Sequence, residues 1–107
     1  MTPSKSPLPA NPNEQALRLK PKVDLVASTV EAQRETMMKA LEAGPRAVVL
    51  DLEGVEQLDS LGITLVLGLF KTCQKAGTPF SIEGVKPDIM RVFRLFNLPK
   101  FFPILEG

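Results

Sequence analysis

Three side chains in the stretch AVVLDLEGVEQLDSLG, residues 47–62, carry its chemistry: Asp51, Asp59 and Ser60. Ala47-Val48-Val49-Leu50 is an apolar, β-branched run. It reads as a strand buried on both faces, as in parallel sheets. Asp51 and Leu52 close it, and Glu53-Gly54 breaks it. Val55 to Leu58 form a short loop. Asp59-Ser60-Leu61-Gly62 then opens a helical pattern. A buried strand thus delivers its carboxyl end to a loop, and the loop delivers a serine to a helix N-terminus. Sites in α/β proteins gather at the carboxyl ends of strands. A helix N-terminus, with free N–H groups and a positive dipole end, suits an anionic group.

Several chemistries are disfavoured by what the chain lacks. It has no histidine, which removes imidazole acid/base catalysis, Ser-His-Asp triads and the commonest metal ligand. Its single cysteine, Cys73, excludes an intramolecular disulfide and any cysteine-cluster metal site. Cys73 lies on an apolar helical stripe with no base to activate it, so it reads as core. Gly54 and Gly62 belong to no phosphate-binding motif. Asp51 and Asp59 as an acid/base pair or a Mg2+ site would rest on two loop carboxylates, which more often cap or face solvent. An enzyme is the least favoured class, and no cofactor is implied. Asp59-Ser60 taken alone is ordinary N-cap chemistry.

The elements that hold this corner follow from the patterning. With 107 residues, one domain is expected. Thirteen basic and twelve acidic residues are interspersed, net +1, so a nucleic-acid partner lacks its electrostatic footprint. No apolar run approaches the ~20 residues of a bilayer span, and no signal peptide is evident. The expected compartment is the cytoplasm, without direct membrane insertion.

Residues 1–13 hold four prolines and read as a flexible tail, ahead of a domain over 14–107. Ala16 to Lys20 alternate as a half-exposed edge strand. Ser28 and Glu31 spell a capping box for a helix running to about Ala43, with Val30, Met37 and Leu41 on one face and Glu35–Lys39 as an i,i+4 pair. Gly44-Pro45 ends it. A second helix spans about Leu61 to Ala76 and stops at Gly77, with Leu65, Leu69 and Cys73 as its core stripe. Thr64, Leu67 and Gly68 lie on its other side, where Leu67 beside Gly68 suggests a contact surface. Phe80 to Ile82 form a strand. A third helix opens at Pro87 and buries Ile89, Val92, Phe93 and Phe96. Leu98 to Leu105 fold back as a short strand or helical turn. This alternation predicts an α/β fold with a largely parallel sheet.

The segment from Val48 to Ile104 resembles a STAS domain of the bacterial anti-sigma factor antagonist type. The features that carry the resemblance are the strand ending at Asp51-Leu52, the Asp59-Ser60-x-Gly62 corner, the helix stopping at Gly77 and the closing Leu98–Ile104 segment. Val23-Asp24-Leu25 resembles the family's early Leu-Asp element. The similarity covers about Leu17 to Ile104.

The resemblance implies a mixed, largely parallel sheet of four or five strands with helices mainly on one side. The family has two strands before the first helix, whereas this start leaves room for one good strand. It also implies a partner switch. Ser60 falls at the position phosphorylated by an anti-sigma factor kinase of the histidine-kinase-like ATPase type and dephosphorylated by a PP2C-type phosphatase. The unphosphorylated form binds the kinase. The implied partner surface takes in Asp24, Asp51, Asp59, Ser60, Leu61, Gly62, Thr64, Leu67 and Gly68. Asp59 and Asp51 are expected to add like-charge repulsion beside a phosphorylated Ser60. The alternative is a small STAS subunit bracing the ATPase of an ABC (lipid) transporter. A third reading is an adaptor in secretion or biofilm signalling.

Overall fold

A computed structural model of the chain describes residues 16–106. The expectations for the 1–13 tail, and for any strand preceding Ala16, lie outside the described residues. Four strands and three helices alternate: β1 Ala16–Leu19, α1 Val30–Leu41, β2 Ala47–Asp51, α2 Ser60–Ala76, β3 Phe80–Val85, α3 Pro87–Leu95, a 3-10 turn Leu98–Lys100, and β4 Ile104–Glu106. Among the described residues the sheet has the order β1-β2-β3-β4, and every pairing is parallel. Chain order equals sheet order because each pair of neighbouring strands is joined by a crossover carrying one helix.

The pleat sorts the side chains. Leu17 and Leu19 of β1, Val48 and Leu50 of β2, Phe80 and Ile82 of β3, and Ile104 of β4 share one core with Leu65, Val66 and Leu69 of α2 and Ile89 and Phe93 of α3. All helices therefore pack on that face, as expected. The intervening residues Arg18, Val49, Asp51, Ser81 and Glu83 occupy the other face, in matching register. Each fully buried Leu or Ile, such as Leu50 and Ile82, contributes about 1.5–3 kcal/mol. At the far end of the core, Phe70 and Phe80 gather around Phe102 with ring centroids 5.0 and 5.1 Å away, and Phe101 stacks on Phe70 at 6.2 Å. Cys73 is buried in this core, which pushes its thiol pKa up.

Several local expectations are corrected. The Ser28–Glu31 capping box does not form. Thr29 is the N-cap residue, in a helical conformation and without a side-chain cap, because a turn closed by Val30 N–H to Val26 O already precedes it. The Thr29 hydroxyl instead donates to the Asp24 carbonyl and accepts the Val26 N–H at 3.1 Å. The ion pair on α1 is Glu31–Arg34 rather than Glu35–Lys39. β3 continues past Ile82 to Val85, with Gly84 at φ 70° absorbing a register shift against β4. Phe96 is exposed rather than buried. α3 ends at Leu95 and Asn97 turns left-handed at φ 59°, which leaves the Phe96 ring outside, while Ile89, Met90 and Phe93 are the buried residues of α3. Gly77 stops α2 at φ 71°, as its position predicts.

Candidate functional site: the α2 N-terminus

β2 ends at Asp51, which is only 8% exposed. Its Oδ1 accepts the Glu53 N–H at 2.9 Å and its Oδ2 the Arg18 Nη1 at 2.8 Å. Arg18 Nη2 reaches Glu83 Oε1 at 2.9 Å. Glu83 chiefly, then Asp51, raises the Arg18 pKa against the opposing effect of burial. This ion cluster spans three strands on the face away from the helices. The structure therefore does not bring Asp51 to Ser60. The added repulsion expected from it is lost, because the pleat turns residue 51 to the opposite side.

Beyond β2, the chain folds onto a segment some thirty residues earlier. Leu25 N–H donates to Gln57 O at 3.0 Å, and Asp59 N–H to Leu25 O at 3.2 Å. Leu25 and Leu58 form an isolated parallel bridge. Two aspartates lock these segments from opposite sides. Asp24 Oδ1 accepts the N–H groups of Glu56 at 2.8 Å and Gln57 at 3.1 Å. Asp59 Oδ1 accepts those of Leu61 at 2.9 Å and Gly62 at 3.1 Å, while its Oδ2 accepts the Ala27 N–H at 3.0 Å. Asp59 is thus the N-cap of α2 and also ties down the approach to α1. Asp24 holds a loop together, a role its place in the sequence gave no sign of.

Capping by Asp59 changes the standing of Ser60. Ser60 is the first residue inside the helix and is exposed. Its carbonyl accepts the Thr64 hydroxyl at 3.1 Å. Its own hydroxyl makes no hydrogen bond within the described residues. Ser60 is therefore not the cap, and its side chain is not holding the fold. Beside it Leu61 is 46% exposed, an apolar residue facing solvent in the first helical turn. Thr64 is exposed one turn on. Ala27 and Ser28 are exposed on the segment tied to Asp59, and Val23 is exposed two residues ahead of its Leu25 anchor. Sequence reasoning missed Ala27 and Ser28 as neighbours of the corner. Only the early Leu-Asp resemblance pointed to that segment.

Gly62 is buried where α2 crosses Leu25. A Cβ there would fall on the Leu25 carbonyl oxygen and 2.7 Å from Leu58 Cγ. Leu67 and Gly68 do not form the exposed surface expected of them. Both are half-buried: Leu67 packs on the core, and Gly68 faces Met38 of α1, whose sulfur lies 3.7 Å from the Thr72 hydroxyl. The small residue lets α1 approach α2. Among the described residues, no three His, Cys, Asp or Glu side chains converge as a metal site, and no helix is long and apolar enough to cross a membrane.

The double use of Asp59 has a measurable consequence. Asp59→Ala removes the α2 cap and orphans the Ala27 N–H, an expected loss of about 1–2 kcal/mol. Asp59→Asn keeps one oxygen acceptor and should lose less than half as much. Urea melts of the two variants check this. Equal losses would mean that the capping hydrogen bonds contribute nothing.

The STAS domain family model matches residues 8–106. An anti-sigma-B factor antagonist of Staphylococcus aureus is 29% identical over 84 residues, spanning 78% of each chain. The intermembrane phospholipid transport system binding protein MlaB of Escherichia coli is 28% identical over 80 residues, 71% of this chain and 82% of that one. A crystal structure from Thermotoga maritima, described as a candidate anti-sigma factor antagonist, superposes with a TM-score of 0.82 at 21% identity, covering 88% of this chain and 81% of the other.

Proposed function

The chain belongs to the STAS domain family, and on that premise we propose that it is a partner switch of the anti-sigma factor antagonist type, controlled by phosphorylation of Ser60. The observation that carries the reading is the division of labour at the corner. Asp59 does the capping, so the exposed Ser60 hydroxyl is available to an incoming kinase without cost to the fold. The relative from S. aureus supports the same class. In this reading the protein is not an enzyme. It works in the cytoplasm, and its partners are a histidine-kinase-like anti-sigma factor kinase and a PP2C-type phosphatase.

The binding surface of the unphosphorylated form is Ser60, Leu61 and Thr64, flanked by Val23, Ala27 and Ser28. Leu61 supplies apolar area next to the switch residue. Asp24 and Gly62 shape this surface from beneath rather than touching the partner. A phosphoryl group on Ser60 adds about −1.5 to −2 charges at pH 7. The N–H groups of Leu61 and Gly62 are already taken by Asp59, so the new charge finds few free donors and projects outward beside an existing carboxylate. A partner closing over Leu61 then meets an uncompensated charge.

The likeness to MlaB favours one competing reading, a subunit of an ABC lipid transporter. Phosphosite mapping of the protein isolated from its native cells separates the two. The switch predicts a single phosphoryl group on Ser60, absent from a Ser60→Ala variant. An unmodified Ser60, with an ABC ATPase and its membrane subunit co-purifying, would establish the transporter reading instead.

A further inference from the structure

A second surface lies away from the corner. Of the six large apolar side chains exposed among the described residues, four fall within eleven positions: Leu95 at 76%, Phe96 at 50%, Phe101 at 56% and Leu105 at 58%. Leu105 sits at the centre of β4, which has a strand on one side only among the described residues. Its main-chain groups on the outer side have no strand partner among the described residues and offer a template for another strand. The pleat puts Leu105 on the face away from the helices, since Ile104 pairs with Ile82 on the core side. Arg94 Nη2 lies 3.6 Å from Glu106 Oε2, so the end of α3, with Leu95 and Phe96 next in sequence, stands beside the strand. Phe101 packs on Phe70 of α2, whose ring also meets Phe80 at the start of β3, whereas Ser60 follows the carboxyl end of β2. The edge and the corner are therefore separate surfaces.

We propose that the outer edge of β4 is a homodimer interface, with a second copy of this chain adding its β4 antiparallel across a two-fold axis through Leu105. An isologous contact must be self-complementary, and an antiparallel pair of identical edge strands meets that condition. The charges fit as well. Glu106 is the one charge on the strand and would normally guard an edge, but Arg94 compensates it within the same chain. Arg91 is likewise 3.5 Å from Asp88. Two copies of the edge can therefore meet without a field of like charges between them, and the exposed Leu105 side chains supply apolar area at the axis. The dimer would join two four-stranded sheets into one and leave both Ser60 corners open.

Sedimentation velocity on the full chain over a range of concentrations tests this, with Leu105→Lys and Leu105→Cys as variants and circular dichroism to verify folding. Residue 105 is exposed, so both variants should fold. The wild type should sediment as a dimer, and Leu105→Lys should raise the dissociation constant at least tenfold. In Leu105→Cys the paired residues sit about 4.5–5.5 Å apart at Cα, within disulfide reach, so mild oxidation should give a covalent dimer. The buried Cys73 stays out of that reaction. A wild type that remains monomeric at all concentrations overturns the proposal. So does a dimer that Leu105→Lys leaves intact, which would place the contact elsewhere.

Discussion

Gly62→Ala should lower the melting temperature by roughly 10–20 °C, because Gly62 has the closest approach of any glycine among the described residues. A Cβ at this position would overlap the Leu25 carbonyl oxygen and stand 2.7 Å from Leu58 Cγ and 3.2 Å from Leu25 Cβ. The carbonyl cannot step aside freely, because it accepts the Asp59 N–H and Leu25 itself donates to Gln57. Relief requires lifting α2 off the loop, which undoes the cap and the clamp together. Overpacking of this kind costs about 3 kcal/mol or more, against roughly 1 kcal/mol gained from the better helix propensity of alanine. Gly68→Ala is the matched control on the same helix. Its Cβ would meet only Met38 Cε at 3.7 Å, an ordinary contact. It should stabilise by about 0.5–1 kcal/mol. Opposite signs at two glycines six residues apart in one helix would establish that steric approach, not helix propensity, governs Gly62. Thermal melts followed by circular dichroism read both.

Ser60→Asp should leave the melting temperature within a few degrees of wild type while weakening partner binding about a hundredfold. The stability half follows from exposure: residue 60 is in the first turn, where a carboxylate meets the positive end of the helix dipole, and Asp59 beside it offsets that gain. Surface changes of this sort stay within about 0.5 kcal/mol. The binding half follows from placement. A charge set next to Leu61 at the centre of a closing interface costs several kcal/mol when it finds no counter-ion, and about 2.7 kcal/mol is a hundredfold. Ser60→Ala should bind like wild type, since the hydroxyl holds nothing in place within the described residues.

Much of the architecture was legible in the sequence because it depends on short-range pattern. The apolar run of β2 marked a buried strand, Gly77 marked the end of α2, and strand–helix alternation predicted the parallel sheet. The location of the corner was legible for the same reason. Its inner wiring was not. Asp24 and Asp59 act on N–H groups 32 or 33 residues away, and no local spacing encodes that. Sequence reasoning grouped Asp24, Asp51, Asp59 and Ser60 as one surface. The fold separates them into a loop clamp, a partner of Arg18 on the opposite face, a shared helix cap and an exposed hydroxyl. The Ser28–Glu31 pattern matched a capping box in letters, yet an earlier turn had already displaced the start of α1. Phe96 fitted the buried stripe of α3 by periodicity, but the helix ends one residue before it and its ring is left outside. Leu67 and Gly68 looked exposed because a single helix pattern does not reveal a second helix lying across it.

The central claim is that the chemistry at Ser60 decides which partner is held. The most direct test uses wild type and Ser60→Asp as paired baits in lysate from the native cell, with bound proteins quantified by mass spectrometry. A histidine-kinase-like ATPase captured by wild type and depleted by Ser60→Asp is the predicted result. Equal capture of the same partners by both baits, an ABC ATPase with its membrane subunit above all, would contradict it.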